Sequence, residues 1–223
     1  MLLSFEKQFL FVHVPRAAGT SVRDTLAPYI AGSQQYLINR LLDGVGLRVN
    51  HVGPFPKQRF RVHDTARIAK FWLPCEAYDR LFKFAFVRNP WDRMVSMYSY
   101  IRMRTDHRRH REVTQLKGFE DYLKYEFRRR VTSQLEMISD RRGKIIVDYV
   151  GRFERLETDF ADVCQHIGIE SQFLHKNQSQ HEPYENYYND CTRRLVADYF
   201  AREIEYFGYD FDGVDSVSQS RVA

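Results

Sequence analysis

Along this chain apolar residues come in short continuous runs, each followed by a stretch where they recur at helical spacing. Residues 8–14, Gln-Phe-Leu-Phe-Val-His-Val, predict a strand, and Val22, Leu26, Tyr29 and Ile30 mark one face of the helix after it. Helical spacing returns over 64–72, and residues 81–87 predict a second buried strand. Asn89-Pro90 is a strong helix start, with an N-cap amide, a proline in the first turn and Asp92 beside the positive end. That helix turns Met94, Val95, Tyr98 and Ile101 inward. A strand near 145–153 leads to helices over 154–167 and 190–206. Strands alternating with helices predict an α/β fold, a P-loop-like three-layer α/β/α arrangement around a central parallel sheet. Ligands of such sheets bind at the carboxyl ends of the strands.

Composition narrows the class. The 223 residues suffice for one sizeable core and no Pro/Gly/Ser-rich linker divides them, so a single domain over 1–212 is expected, with 213–223 a polar tail. No apolar run nears the roughly 18 residues of a membrane span. The opening segment carries Glu6 and Lys7 at its centre, unlike a removable signal peptide, so a cytoplasmic protein without an integral membrane segment is expected. Cys75, Cys164 and Cys191 are odd in number, widely spaced and outside any C-x-x-C, which predicts free thiols; with no HExxH-type cluster, no metal site is expected. The net charge of +5 matters less than its distribution. Arginines crowd 102–111, 128–130 and 141–142, either as a solvated face or as a surface that attracts an anionic acceptor or cofactor. The aromatics fall in strands and helices rather than among the arginines, so no nucleic-acid partner is expected.

Two segments carry the chemistry, and each sits where an apolar strand gives way to a helix. Val14-Pro15-Arg16-Ala17-Ala18-Gly19-Thr20-Ser21 has the frame of the phosphate loop G-x-x-x-x-G-K-[ST], but Val14 replaces its first glycine and Thr20 its lysine. Without that lysine or an obvious carboxylate for magnesium, the usual clamp on a γ-phosphate is missing, which weakens a kinase or ATPase reading. The second segment is Phe86-Val87-Arg88-Asn89-Pro90-Trp91-Asp92-Arg93-Met94-Val95-Ser96. Together the two predict a nucleotide with phosphates at two ends, each at a helix N-terminus.

This pair resembles the cofactor motifs of sulfotransferases that use 3′-phosphoadenosine 5′-phosphosulfate (PAPS), most closely the carbohydrate sulfotransferase (sulfotransferase family 2) branch. The resemblance implies that Arg16, Ala18, Gly19, Thr20 and Ser21 surround the 5′-phosphosulfate, and that Arg88 and Ser96 hold the 3′-phosphate. Arg16 stands where the family usually has lysine, keeping the charge but replacing a point cation with a planar fork. Residues 147–156 resemble the third family landmark, where Phe153 would pack on the adenine, and 199–211 resemble its aromatic close. The resemblance spans roughly residues 8–212. It implies PAPS as co-substrate, no metal, and a hydroxyl acceptor that is a glycan or another small molecule. A non-catalytic nucleotide-binding protein and a P-loop-like nucleotide kinase are the competing readings.

In-line sulfuryl transfer requires removal of the acceptor's proton, and a neutral histidine suits that role. His63, between the two motifs in Arg61-Val62-His63-Asp64, is the candidate base beside Arg16 as catalytic cation, with Asp64 placed to cap the next helix or orient the ring. His51, in a Gly/Pro loop, is second. His13 reads as a core or supporting residue, and His107 and His110 as solvated. Tyr184, Tyr187 and Tyr188 follow the polar stretch 177–179 and are candidates for an acceptor cleft.

Overall fold

All four residues of Phe9-Leu10-Phe11-Val12 are buried, as are Phe84, Ala85, Phe86 and Val87. Runs apolar at every position, rather than alternating, belong to parallel strands covered on both faces. The computed structural model describes residues 1–30, 49–51, 59–170 and 182–214. In chain order its strands are β1 (Leu2–Ser4), β2 (Phe9–Val12), β3 (Val49–His51), β4 (Arg59–Arg61), β5 (Phe82–Val87), β6 (Tyr149–Arg152), β7 (Tyr209–Asp210) and β8 (Gly213–Val214). Its α-helices are α1 (Gly19–Leu26), α2 (Ala66–Trp72), α3 (Cys75–Arg80), α4 (Pro90–Met103), α5 (His110–Thr114), α6 (Phe119–Arg128), α7 (Gln134–Ile138), α8 (Leu156–Ile167), α9 (Asp190–Tyr199) and α10 (Ala201–Phe207). None of them is long and apolar enough to cross a membrane. These residues fall into two compact units, one from residues 1–87 and 134–170 and the other from 88–133 and 182–214.

The first unit holds the main sheet, ordered β1-β2-β5-β6. β2 pairs with β5 and β5 with β6, both parallel, through Val12↔Ala85 and Val87↔Arg152. The mostly parallel α/β fold expected from the sequence is present, with one addition: β1 folds back antiparallel on β2, Leu3 opposite Leu10. Phe11 and Phe84 stack across the strands at 5.2 Å, and Phe160 of α8 meets Phe86 edge-on at 6.1 Å. At the amino end of β5, the buried Lys83 is satisfied by three acceptors: the carbonyls of Leu81 (2.6 Å) and Tyr78 (3.3 Å) and the Asp148 carboxylate (2.9 Å).

Gly151 in β6 leaves room for Phe86. A Cβ there would lie 2.3 Å from the ring, and the ring is wholly enclosed. Gly151→Ala is therefore expected to cost about 1–3 kcal/mol by overpacking. At roughly 2–4 °C per kcal/mol for a chain of this size, the drop will be visible in a thermal melt; an unchanged Tm would mean that the ring moves aside freely.

In the second unit Asn89 caps α4 as expected, its side-chain oxygen accepting from the Trp91 N–H at 3.0 Å while its amide donates to the Asp210 carbonyl at 2.8 Å. Met94, Val95, Tyr98 and Ile101 are buried. The sequence expectations include no helix between 104 and 140 and leave the arginine run as either a solvated face or an anion-attracting surface. Instead, within this unit, α5 and α6 form there, and Arg109 pairs with the nearly buried Glu126. Burial pushes the Glu126 carboxyl up despite that guanidinium. His110 and His107 are half-buried rather than solvated: the His110 ring shares a hydrogen bond with the Ile101 carbonyl, and His107 Nδ1 accepts from the Arg109 N–H. Arg93 is buried, donating to the Thr132 carbonyl at 2.7 Å with Glu203 at 3.5 Å. The single helix predicted over 190–206 breaks at Phe200 into α9 and α10, with Asn189 and Thr192 forming a reciprocal capping box at its start.

Candidate functional site

Leaving β2, the chain makes the predicted strand-to-helix turn. Arg16 and Ala18 both take left-handed backbone conformations, φ 66° and 61°. Such φ values cost non-glycine residues about 1–3 kcal/mol each and persist where surroundings over-determine them. The turn delivers Gly19, Thr20 and Ser21 as the first residues of α1, with the first helical bond running from the Val22 N–H to the Ala18 carbonyl at 3.2 Å. No side chain caps this helix start, and its first turn carries no carboxylate. A helix start without a capping side chain or carboxylate is electrostatically suited to an anion. Arg16 and Ala18 are half-buried, Thr20 is exposed, and Gly19 and Ser21 are buried.

His63 lies beside this loop in the same unit. β4 ends at Arg61, and the Asp64 carboxylate accepts from the Arg61 N–H at 2.6 Å, closing the turn that carries the histidine. Asp64 is thus a turn residue; the N-cap of α2 is Thr65, without a side-chain capping bond. His63 Nδ1 lies 3.1 Å from the main-chain carbonyl of His13. A carbonyl can only accept, so Nδ1 carries the proton and Nε2 of the neutral ring carries the lone pair. Desolvation of the enclosed side of the ring pulls its pKa below the ordinary histidine value, while the bond to His13 and the charge of Asp64 oppose the shift. The ring as a whole keeps an exposed face. His63 is therefore a neutral imidazole near pH 7 with a basic nitrogen defined by its hydrogen bond.

His13 is the residue whose importance sequence reading understated. Its imidazole is buried, stacks on Phe11 at 5.8 Å and meets the His63 ring at 4.6 Å. Burial, reinforced by the neighbouring His63, holds its pKa well below the usual range. The one signal in the sequence was Gly19, six positions on, which needs a reason to be glycine.

Arg88 and Ser96 belong to the second unit. Arg88 is 4% exposed and grips Asp92 with two parallel bonds, Nε at 2.6 Å and Nη2 at 2.7 Å, which fixes the plane of its guanidinium. Ser96 is fully buried further along α4. In the first unit Phe153 is half-buried at the carboxyl end of β6, opening a short 3₁₀ turn before α8. The Arg152 N–H just before it donates to Asp159 at 2.7 Å.

The sequence pattern described as "Sulfotransferase family" matches residues 1–210. The chain belongs to the sulfotransferase family. In fold it is similar to mouse sulfotransferase SULT7A1, solved as a complex with PAP, with a TM-score of 0.52 over 91% of this chain and 86% of that one, at 12% identity. At that identity the likeness is one of fold. An uncharacterized protein of Archaeoglobus fulgidus is 33% identical over 94 residues, 41% of this chain and 72% of that protein. Within this sulfotransferase the strand-ending loop, the uncapped α1 and His63 share the first unit, whereas Tyr184 and Tyr188 are anchored in the second. There Tyr188 donates to the Trp91 carbonyl at 2.9 Å, and Tyr184 to that of Phe211. Desolvation raises the pKa of both phenols, so they stay protonated. The His51 side chain and the polar stretch 177–179 lie outside the described residues.

Proposed function

We propose that this sulfotransferase, acting as one functional domain over residues 1–212, transfers a sulfuryl group from PAPS to an acceptor hydroxyl, foremost that of a carbohydrate. PAPS would supply the activated sulfuryl group. In this reading His63 Nε2 takes the hydroxyl proton as the acceptor oxygen bonds to sulfur. Arg16 and the first-turn N–H groups of α1 meet the charge that develops on the departing 5′-phosphate. Arg88 and Ser96 hold the 3′-phosphate, and Phe153 covers the adenine. Gly19, Thr20 and Ser21 bring the backbone close to the 5′ end, with Ala18 turning the chain into α1.

The observation that carries this reading is the pairing, in one unit, of an uncapped helix start free of carboxylates with a histidine whose tautomer leaves Nε2 basic. The test is calorimetric titration with adenosine 3′,5′-bisphosphate (PAP) beside ATP-magnesium. PAP is expected to bind at least about tenfold more tightly, a difference of roughly 1.4 kcal/mol. Preference for ATP, or ATP hydrolysis at enzymatic rates, would overturn the assignment.

A further inference from the structure

His13 does more than fill the core behind the loop. A Cβ built on Gly19 would lie 1.7 Å from its Nε2 and 1.9 Å from its Cδ2. Gly19 is not among the residues with positive φ, so its backbone does not require glycine; the imidazole does. On one side the same ring stacks on Phe11, and on another it meets the His63 ring at 62°. Its own carbonyl accepts from His63 Nδ1.

We propose that His13 is a positioning residue, a spacer wedged between the first residue of α1 and the ring of His63, so that the anion-binding helix start and the proton acceptor keep a fixed separation. The proposal rests on reading His63 as the base. Two contacts from one residue do the work: the carbonyl sets the His63 tautomer, and the imidazole sets how far that ring stands from Gly19. Side-chain replacement removes the second and leaves the first. The charged groups around the pair are Asp64, which favours a cationic ring, and Arg16 and Arg23, which disfavour one; burial lowers the Met1 amino group to about 5, so near pH 7 it is neutral. The Met1 amino group donates to the carbonyls of Arg61 and Val62, next to the His63 turn.

Spatial wedging predicts a specific pattern of suppression. Gly19→Ala drives a methyl group into the imidazole and is expected to weaken PAP binding at least tenfold. Adding His13→Ala opens that space and should restore most of the lost affinity, even though the double variant carries two changes to the loop's surroundings. His13→Ala alone should leave PAP affinity within about threefold. Equal losses in Gly19→Ala and in the double variant would overturn the proposal.

A second readout needs neither PAP nor an acceptor. Long-range ¹H–¹⁵N spectra of the full chain report the tautomer and titration of His63 directly. In wild type Nδ1 should be protonated and the ring should titrate below the ordinary histidine value. In His13→Ala the Nδ1–H tautomer should persist, while the titration moves up toward that value as water reaches the vacated face. His63 titration unchanged by His13→Ala would also overturn the proposal. Should His13→Ala fail to fold, His13→Gln, a planar polar group of similar reach, is expected to retain the wild-type His63 titration, and a shift to the ordinary value there would count against the ring as spacer. Failure of wild type to bind PAP would instead undo the nucleotide assignment while leaving the spectroscopic comparison able to decide the role of His13.

Discussion

His63→Ala will lower sulfuryl transfer by about 10²- to 10⁴-fold, the usual contribution of a general base, while PAP affinity stays nearly unchanged. The split between turnover and binding follows from the geometry. His63 is tied to the His13 carbonyl through Nδ1, so the atom lost to catalysis is Nε2, and the loop at Gly19–Ser21 keeps its backbone. The pH profile adds an independent mark. A base works only when neutral, and the His63 pKa is lowered, chiefly by desolvation. The acid limb of the rate should therefore lie below about 6.5, the reference value for histidine. The sign for stability is set by the same shift. His13 and His63 both bind protons less readily folded than unfolded, so between the folded and unfolded pKa values the unfolded chain holds more protons. Their contribution is present above the unfolded pKa and is lost progressively as pH falls from there through the folded pKa. Retained turnover in His63→Ala, with an unchanged acid limb, would assign the proton transfer to another group.

How legible this was differs from element to element. β2, β5 and their loops could be read because strands buried on both faces leave unbroken apolar runs, and Asn89-Pro90 announces a helix by local chemistry alone. β1 escaped notice because three residues are too few to show a period, and only pairing with Leu10 gives them a role. α5 was hidden for a different reason. Val113 of α5 sits among arginines, and whether Arg109 faces water or Glu126 is a tertiary fact that sequence spacing does not contain; α6 does carry helical spacing at Phe119, Tyr122 and Leu123, which the sequence expectations omit. The break at Phe200 lacks glycine or proline, the usual punctuation of a helix end.

The site shows the same division. The strand-to-helix turn over 14–21 was legible from its frame, whereas the steric reason for glycine at 19, the His13 imidazole, was not. The position of His63 between the motifs was legible, but the bond that fixes its tautomer was not. The bond that sets its tautomer comes from a main-chain carbonyl fifty positions away, and no side-chain pattern records such a donor–acceptor pair. Asp64 illustrates the converse: a carboxylate next to a histidine invites a role in chemistry, yet its partner is the Arg61 N–H of its own turn.

Arg88→Ala will abolish discrimination for a 3′-phosphate. Truncating one partner of a buried, charged hydrogen-bonded pair typically costs about 2–5 kcal/mol, which corresponds to a loss of PAP affinity of roughly 30-fold or more. The ligand itself provides the control, because adenosine 5′-monophosphate lacks only the 3′-phosphate of PAP. Wild type should prefer PAP strongly; Arg88→Ala should bind the two nucleotides about equally. Arg88→Lys is expected to fall between them but nearer alanine, since lysine keeps the charge and loses the planar fork that Asp92 holds in register. The variants also carry a structural cost that must be separated from binding: removing Arg88 leaves the Asp92 carboxylate, 15% exposed, without its main counter-charge. That penalty lowers Tm but acts on both nucleotides alike, so the ratio of the two affinities reports the 3′-phosphate contact alone. A ratio unchanged by Arg88→Ala would mean that this guanidinium serves only α4, through Asp92, and that the 3′-phosphate is held elsewhere.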